Sequence, residues 1–218
     1  YMKYNIIAVG ISSGFALTFF GNTHYGIEDL SIMRSIPNLI ILSPSDAGQA
    51  VKAMIKSIET DKPIYLRLTG QLNCPIVYEK DYEYVIGKGI QLKEGDDIAI
   101  IATGIMVSEA MKSSLILEEM GYSISVIDMH TIKPLDQSII KKNLNSSLIV
   151  SIEEHNIIGG LGTAISEYLS SKKKSPPLLR LGIEDRFSNP GNYEHLLREN
   201  RLVSDLIVED IIDKLEAI

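Results

Sequence analysis

Thr23 and His24 sit in Gly21-Asn22-Thr23-His24-Tyr25-Gly26, a polar, glycine-bracketed loop between two apolar segments. An imidazole beside a hydroxyl can hydrogen-bond a substrate oxygen or move a proton, and loops on a rigid scaffold are where such groups collect. A loop histidine that only bonds backbone would look the same. The remaining histidines, His130, His155 and His195, match no metal-ligand spacing, and no H-E-x-x-H or G-x-S-x-G is present. The sequence thus offers no metal site and no anchor for a hydrolase triad.

Two glycine-rich segments invite a phosphate reading. Gly10-Ile11-Ser12-Ser13-Gly14 follows an apolar run but lacks the G-x-G-x-x-G spacing of a dinucleotide fold. Gly159-Gly160-Leu161-Gly162 precedes a helical pattern, whose first N–H groups could cradle an anion. No Lys-Ser/Thr follows it, so a tight loop with closely packed backbone is the simpler expectation. Cys74 is the single cysteine, which excludes an internal disulfide and a thiolate metal cluster and fits a reducing, cytoplasmic setting.

The elements that must position these residues alternate between short β-branched runs and helical patterns, the mark of an α/β protein with mostly parallel sheets. Residues 5–9, 39–43, 64–68, 97–103, 123–129, 148–152 and 178–181 read as strands. Helices are expected over 106–120, 135–144, 163–171 and 204–218, the last capped by Ser204. Another begins after Ser45 or Asp46, where Ala47, Ala50, Val51, Met54, Ile55 and Ile58 form one apolar stripe. Between about 69 and 89 the pattern loosens, with Gly70, Pro75 and Gly87, and a domain boundary is placed there.

The 218 residues carry a formal net charge of -7 and are 45% hydrophobic. That charge disfavours nucleic acid and anionic membranes as partners. No apolar run reaches the roughly 18 to 20 residues of a membrane span. The chain opens at Tyr1 almost within a strand pattern, so further sequence is expected upstream.

Several motifs in register resemble one family. Thr23-His24-Tyr25-Gly26-Ile27-Glu28-Asp29-Leu30, Arg34-Ser35-Ile36-Pro37-Asn38 and Pro44-Ser45-Asp46 are similar to the late pyrimidine-binding (Pyr) domain of transketolases and deoxyxylulose-phosphate synthases. Ile127 to Asp136, Glu153-Glu154-His155 with Gly159 to Gly162, and Gly182-Ile183-Glu184-Asp185-Arg186-Phe187 resemble the family's C-terminal domain. The resemblance implies that residues 1–78 are the latter part of a Pyr domain, and 79–218 a linker and C-terminal domain.

It further implies one component of a thiamine-diphosphate- and Mg²⁺-dependent transferase moving a two-carbon ketol unit to an aldehyde. His24 falls on the family's substrate-facing histidine, with Thr23 orienting the loop. Arg67 lies near, but not on, the position of the phosphate-binding arginine; it would bind a substrate phosphate or form a structural salt bridge. The acid expected near Phe20 is missing and the loop there is apolar, which points to a modified or less polar acceptor. The cofactor-binding residues have no counterpart in this chain and are expected upstream of Tyr1 or on a subunit bearing the diphosphate-binding (PP) domain. The chain alone would then be inactive and hold no cofactor tightly. A homo-oligomer through the C-terminal domain is implied, with Glu153, His155 and Arg186 as architectural or interface residues. A 2-oxoacid dehydrogenase β-like chain, a deoxyxylulose-phosphate-synthase-like component and a non-catalytic dimerisation module are the alternatives.

Overall fold

The computed structural model describes residues 4–70 and 74–218; residues 71–73, within the expected boundary, and Tyr1 lie outside them. The fold is α/β, with two sheets that are mostly parallel. β1 (Ile7–Gly10), β2 (Ile40–Leu42) and β3 (Ile64–Arg67) form the first sheet in the order β1-β3-β2. β4 (Ile90–Lys93), β5 (Ile98–Ala102), β6 (Ile124–Asp128), β8 (Leu148–Asn156) and β9 (Leu178–Ile183) form the second in the order β4-β6-β5-β8-β9. All pairs are parallel except β4 with β6 and one further strand, β7 (Thr131–Lys133). That strand leaves the second half of the chain and joins the first sheet, antiparallel to β2. The two units therefore share backbone hydrogen bonds.

β5, β6 and the first half of β8 are buried on both faces, as expected of parallel strands covered by helices. The covering helices include α3 (Met106–Glu119), α5 (Leu161–Ser170) and α7 (Ser204–Glu216), while α4 (Gln137–Lys142) and α6 (Tyr193–Glu199) are shorter. In the first unit α1 (Asp29–Arg34) follows the His24 loop and α2 (Ala47–Ile58) follows β2.

Two local expectations change. The cap of α7 is not Ser204: Val203 holds the cap position, and the Ser204 N–H is satisfied by the Glu109 carboxylate of α3 at 2.9 Å. A tertiary acceptor there substitutes for a local one. The apolar stripe of α2 does not face the core either. Gln49, Ala53 and Ser57 are its buried face, while Val51, Ile55 and Ile58 are 61%, 53% and 68% exposed. Polarity is affordable on the buried side because Gln49 Nε2 donates to the buried Asp128 carboxylate at 2.7 Å. Asp46 caps α2, its Oδ1 accepting from the Gln49 N–H at 2.7 Å.

Candidate functional site

His24 is exposed at the rim of the seam between the units. Its loop is short, and every end of it is tied. Before it, Thr18–Phe20 makes a single 3-10 turn that Gly21 terminates at φ 75°, a left-handed conformation suited to glycine. The Asn22 side chain donates to the Ser188 carbonyl at 2.8 Å and accepts from the Ser188 N–H at 3.2 Å. The His24 N–H donates to Gly21 O at 2.9 Å. After it, Tyr25 is buried edge-on against Phe15 at 5.0 Å. Gly26 then exchanges both backbone hydrogen bonds with Gly14, at 2.8 and 3.0 Å. Thus the segment Gly10 to Gly14 clamps the loop and is not a nucleotide cradle.

The ring of His24 is fixed from two sides. Phe20 stacks on it at 4.6 Å with 26° between the planes, and Thr23 Oγ1 lies 3.0 Å from Nδ1. Nε2 is the nitrogen left to face outward. Phe19, beside Phe20, is 77% exposed, so the loop lip is apolar.

Arg67 lies elsewhere. Its side chain is only 4% exposed, with Nε on Asp29 Oδ2 at 2.8 Å and Nη2 on the carbonyls of Gly26 and Glu154, both at 3.0 Å. A guanidinium so enclosed holds the base of the His24 loop. Tyr65 also donates to Asp29 Oδ2, at 2.8 Å. Burial opposes the charge on Asp29, but adjacent Arg67 outweighs it and keeps the carboxyl below its ordinary range.

Behind Arg67 runs Glu153-Glu154-His155 of β8, all buried. Glu154 Oε1 accepts the Phe15 N–H at 2.8 Å, and a Cβ at Gly14 would strike this carboxyl group. Glu153 accepts the N–H groups of Leu161 and Gly162 at 2.6 and 2.8 Å, so the glycine-rich start of α5 is filled by a protein carboxylate. Burial pushes both glutamates up to about 7. His155 accepts the Ser31 N–H at Nε2 (3.3 Å), while Nδ1 lies 2.7 Å from the Asn156 carbonyl. Burial, followed by the nearby Arg67 charge, lowers it to about 4. These residues hold the seam together through their buried hydrogen bonds. Arg186 is a surface partner of Glu199 at 2.9 Å.

Asn22, Asp29 and Phe20 were not singled out from sequence. Their roles depend on neighbours 166, 38 and 4 positions away, and only the Phe20 spacing carried a local signal.

Among the described residues no three His, Cys, Asp or Glu side chains converge on a metal position. With the α5 start occupied by Glu153, no donor set for a diphosphate and its metal is gathered among the described residues.

An α/β fold of two joined units with a pinned histidine loop at their seam defines a class, and comparison with known proteins gives the family. Residues 1–75 match the transketolase pyrimidine binding domain and residues 87–207 the transketolase C-terminal domain. The chain belongs to the transketolase family, whose members are transferases. It is 37% identical over 218 residues to a protein of Methanocaldococcus jannaschii assigned as a transketolase C-terminal section, covering 99% of this chain and 68% of that one. It is 35% identical over 209 residues to a 6-deoxy-6-sulfo-D-fructose transketolase subunit of Clostridium sp. (strain MSTE9), covering 95% and 64%. A solved split gene transketolase, an inactive beta4 tetramer, superimposes with a TM-score of 0.84 at 32% identity over 96% of this chain and 66% of that one. The chain therefore spans about two thirds of the length of these relatives.

Proposed function

We propose that this chain is one component of a transketolase-type enzyme that moves a two-carbon ketol unit from a ketose to an aldehyde, with His24 as its substrate-facing group. The observation that carries the reading is the His24 ring: exposed, oriented by Phe20 and Thr23, and carried on a loop tied at both ends. From that position Nε2 would hydrogen-bond a hydroxyl of the substrate or hold its proton. Thr23 holds the ring at Nδ1 and Arg67 positions the loop from beneath. The apolar lip of Phe19 and Phe20 favours a substrate whose end beside His24 is less polar than a sugar phosphate.

On this reading residues 1–78 complete a Pyr domain begun elsewhere, and 79–218 are the linker and C-terminal domain. Thiamine diphosphate, when bound in the complete assembly, would supply the carbanion chemistry. Its diphosphate and Mg²⁺ would be held by a PP-domain-bearing subunit or upstream segment. The bare α2 stripe and the exposed Tyr4, Ile6, Val9 and Ile11 around edge strand β1 support a further covering part. The beta4 relative supports self-association, which we place in the C-terminal domain of a cytoplasmic protein.

The test is co-expression with a PP-bearing subunit, titration with thiamine diphosphate and Mg²⁺, and a ketol-transfer assay. Saturable binding with transfer is expected from the reconstituted pair. A pair that assembles yet binds no cofactor sinks the enzyme reading and leaves a dimerisation module.

A further inference from the structure

Gly21 to His24 close a single turn, with the His24 N–H on the Gly21 carbonyl at 2.9 Å. Asn22 and Thr23 are its two central residues, and their side chains point to different partners. Thr23 Oγ1 lies 3.0 Å from Nδ1 of the His24 ring. The Asn22 side chain crosses to the second unit and meets both backbone groups of Ser188, 166 positions away. One amide that answers the N–H and the carbonyl of the same residue restricts rotation as well as separation.

The Ser188 platform is itself fixed. Ser188 and Asn200 are buried, and Asn200 Nδ2 donates to Ser188 Oγ at 3.1 Å and to the Leu196 carbonyl at 2.9 Å. The Glu199 carboxylate holds the residues on either side. Arg186 Nη1 donates to it at 2.9 Å, and the Asn189 N–H and side-chain amide at 3.1 and 3.0 Å. Glu199 is the last residue of α6 and Asn200 its C-cap, so a helix of the second unit carries the groups that Asn22 meets. Gly14 and Arg67 hold the loop at Gly26, after His24, whereas Asn22 holds it before.

We propose that Asn22 is a positioning residue for His24: by seating the turn on Ser188 it lets the second unit set the direction in which Nε2 faces. This rests on the reading of His24 as the substrate-facing group. Phe20 and Thr23 orient the ring relative to its own loop, and Asn22 orients that loop relative to the rest of the protein. A displacement of about 1 Å can lower an aligned reaction by about 10²-fold, so losing the seat weakens catalysis with every atom of His24 still present.

Two measurements test this. In the full chain, NMR of isotope-labelled histidine reports where the imidazole sits, because the stacked Phe20 displaces its ring-proton signals. Asn22→Ala should shift or broaden the His24 signal and leave those of the buried His130 and His155 in place. Asn22→Asp keeps the acceptor for the Ser188 N–H, so it should shift the signal less and retain more activity. In the reconstituted enzyme, Asn22→Ala should lower kcat/KM for ketol transfer by about tenfold, chiefly through kcat. That loss should vanish in a His24→Ala background, because a residue acting through His24 then has nothing to position. An unmoved His24 signal in both Asn22 variants, or an equal kinetic loss in both backgrounds, overturns the positioning role alone. Full activity of His24→Ala overturns the substrate-facing reading, and the proposal with it.

Discussion

Arg67 Nε donates to Asp29 Oδ2 at 2.8 Å, and this buried pair joins the end of β3 to the start of α1. The same guanidinium reaches the carbonyls of Gly26, beneath the His24 loop, and Glu154, in the other unit. Three segments distant in sequence thus meet on one side chain. Removing one partner of a buried pair leaves the other charge uncompensated, at about 3–5 kcal/mol. Arg67→Met is therefore expected to lower stability by about that much in denaturant titration. Arg67→Lys should recover only part, since an ammonium cannot reproduce the planar fork. Unchanged stability with a raised KM for a phosphorylated substrate would restore a substrate role for Arg67.

His24→Ala should leave the fold intact, because the ring is exposed, while lowering ketol transfer in the reconstituted enzyme by about 10²-fold, the low end for a general acid–base group. Cofactor affinity should not move. Equal activity of variant and parent would remove His24 from the site.

Phe20→Ala removes the stacked face without touching the imidazole. A loss of about 3- to 10-fold in kcat/KM is expected, since aromatic pairing contributes about 0.5–1.5 kcal/mol. Phe20→Tyr should retain most of the activity. Indifference to both would mean that the stack does not orient His24.

Glu154 gives a signed pH effect. Burial raises its folded pKa to about 7, above the ordinary glutamate value, so the folded state holds a proton that the unfolded chain releases. Its contribution to stability is present below the unfolded pKa and is lost as pH rises from about 4.5 to about 7. Glu154→Gln should gain relative to the parent across that window, by up to about 3 kcal/mol. His155, lowered to about 4, acts oppositely: its contribution rises with pH between about 4 and 6.5. Because Glu153 titrates over the same window as Glu154, Glu154→Gln is expected to flatten the stability curve relative to the parent and His155→Asn to steepen its fall with pH, measured by thermal unfolding from pH 4 to 8.

Asp46 is more than a helix cap. Its Oδ1 accepts from Gln49 at 2.7 Å, and its Oδ2 accepts the Val77 and Tyr78 N–H groups at 2.9 and 3.2 Å. Asp46→Ala should cost about 2–4 kcal/mol, since a cap alone is worth about 1 and two further N–H groups lose an acceptor. Amide exchange at Val77 and Tyr78 should quicken together with that at Gln49. Protection unchanged at 77 and 78 would show that the linker is held by other contacts.

By itself the sequence determined the class of fold, the succession of strands and helices, and the position of the polar histidine loop. Those are local properties: β-branched runs, helical spacing, an Asp cap before α2 and glycines bracketing residues 22–25. It also determined the family, because several short motifs stand in register over nearly the whole chain. What local pattern could not decide was which face or which end each group serves. The α2 stripe has helical periodicity, yet its buried side is Gln49, Ala53 and Ser57, because Asp128 from β6 supplies a partner for a buried amide. Ser204 has the right type for a cap, yet Glu109 from α3 does the work. Arg67 stood near a phosphate-reading position, and the approach of Asp29, Gly26 and Glu154 turned it inward. Periodicity specifies spacing along one element, whereas burial, pairing and the exposure of His24 arise only where elements far apart in the chain come into contact.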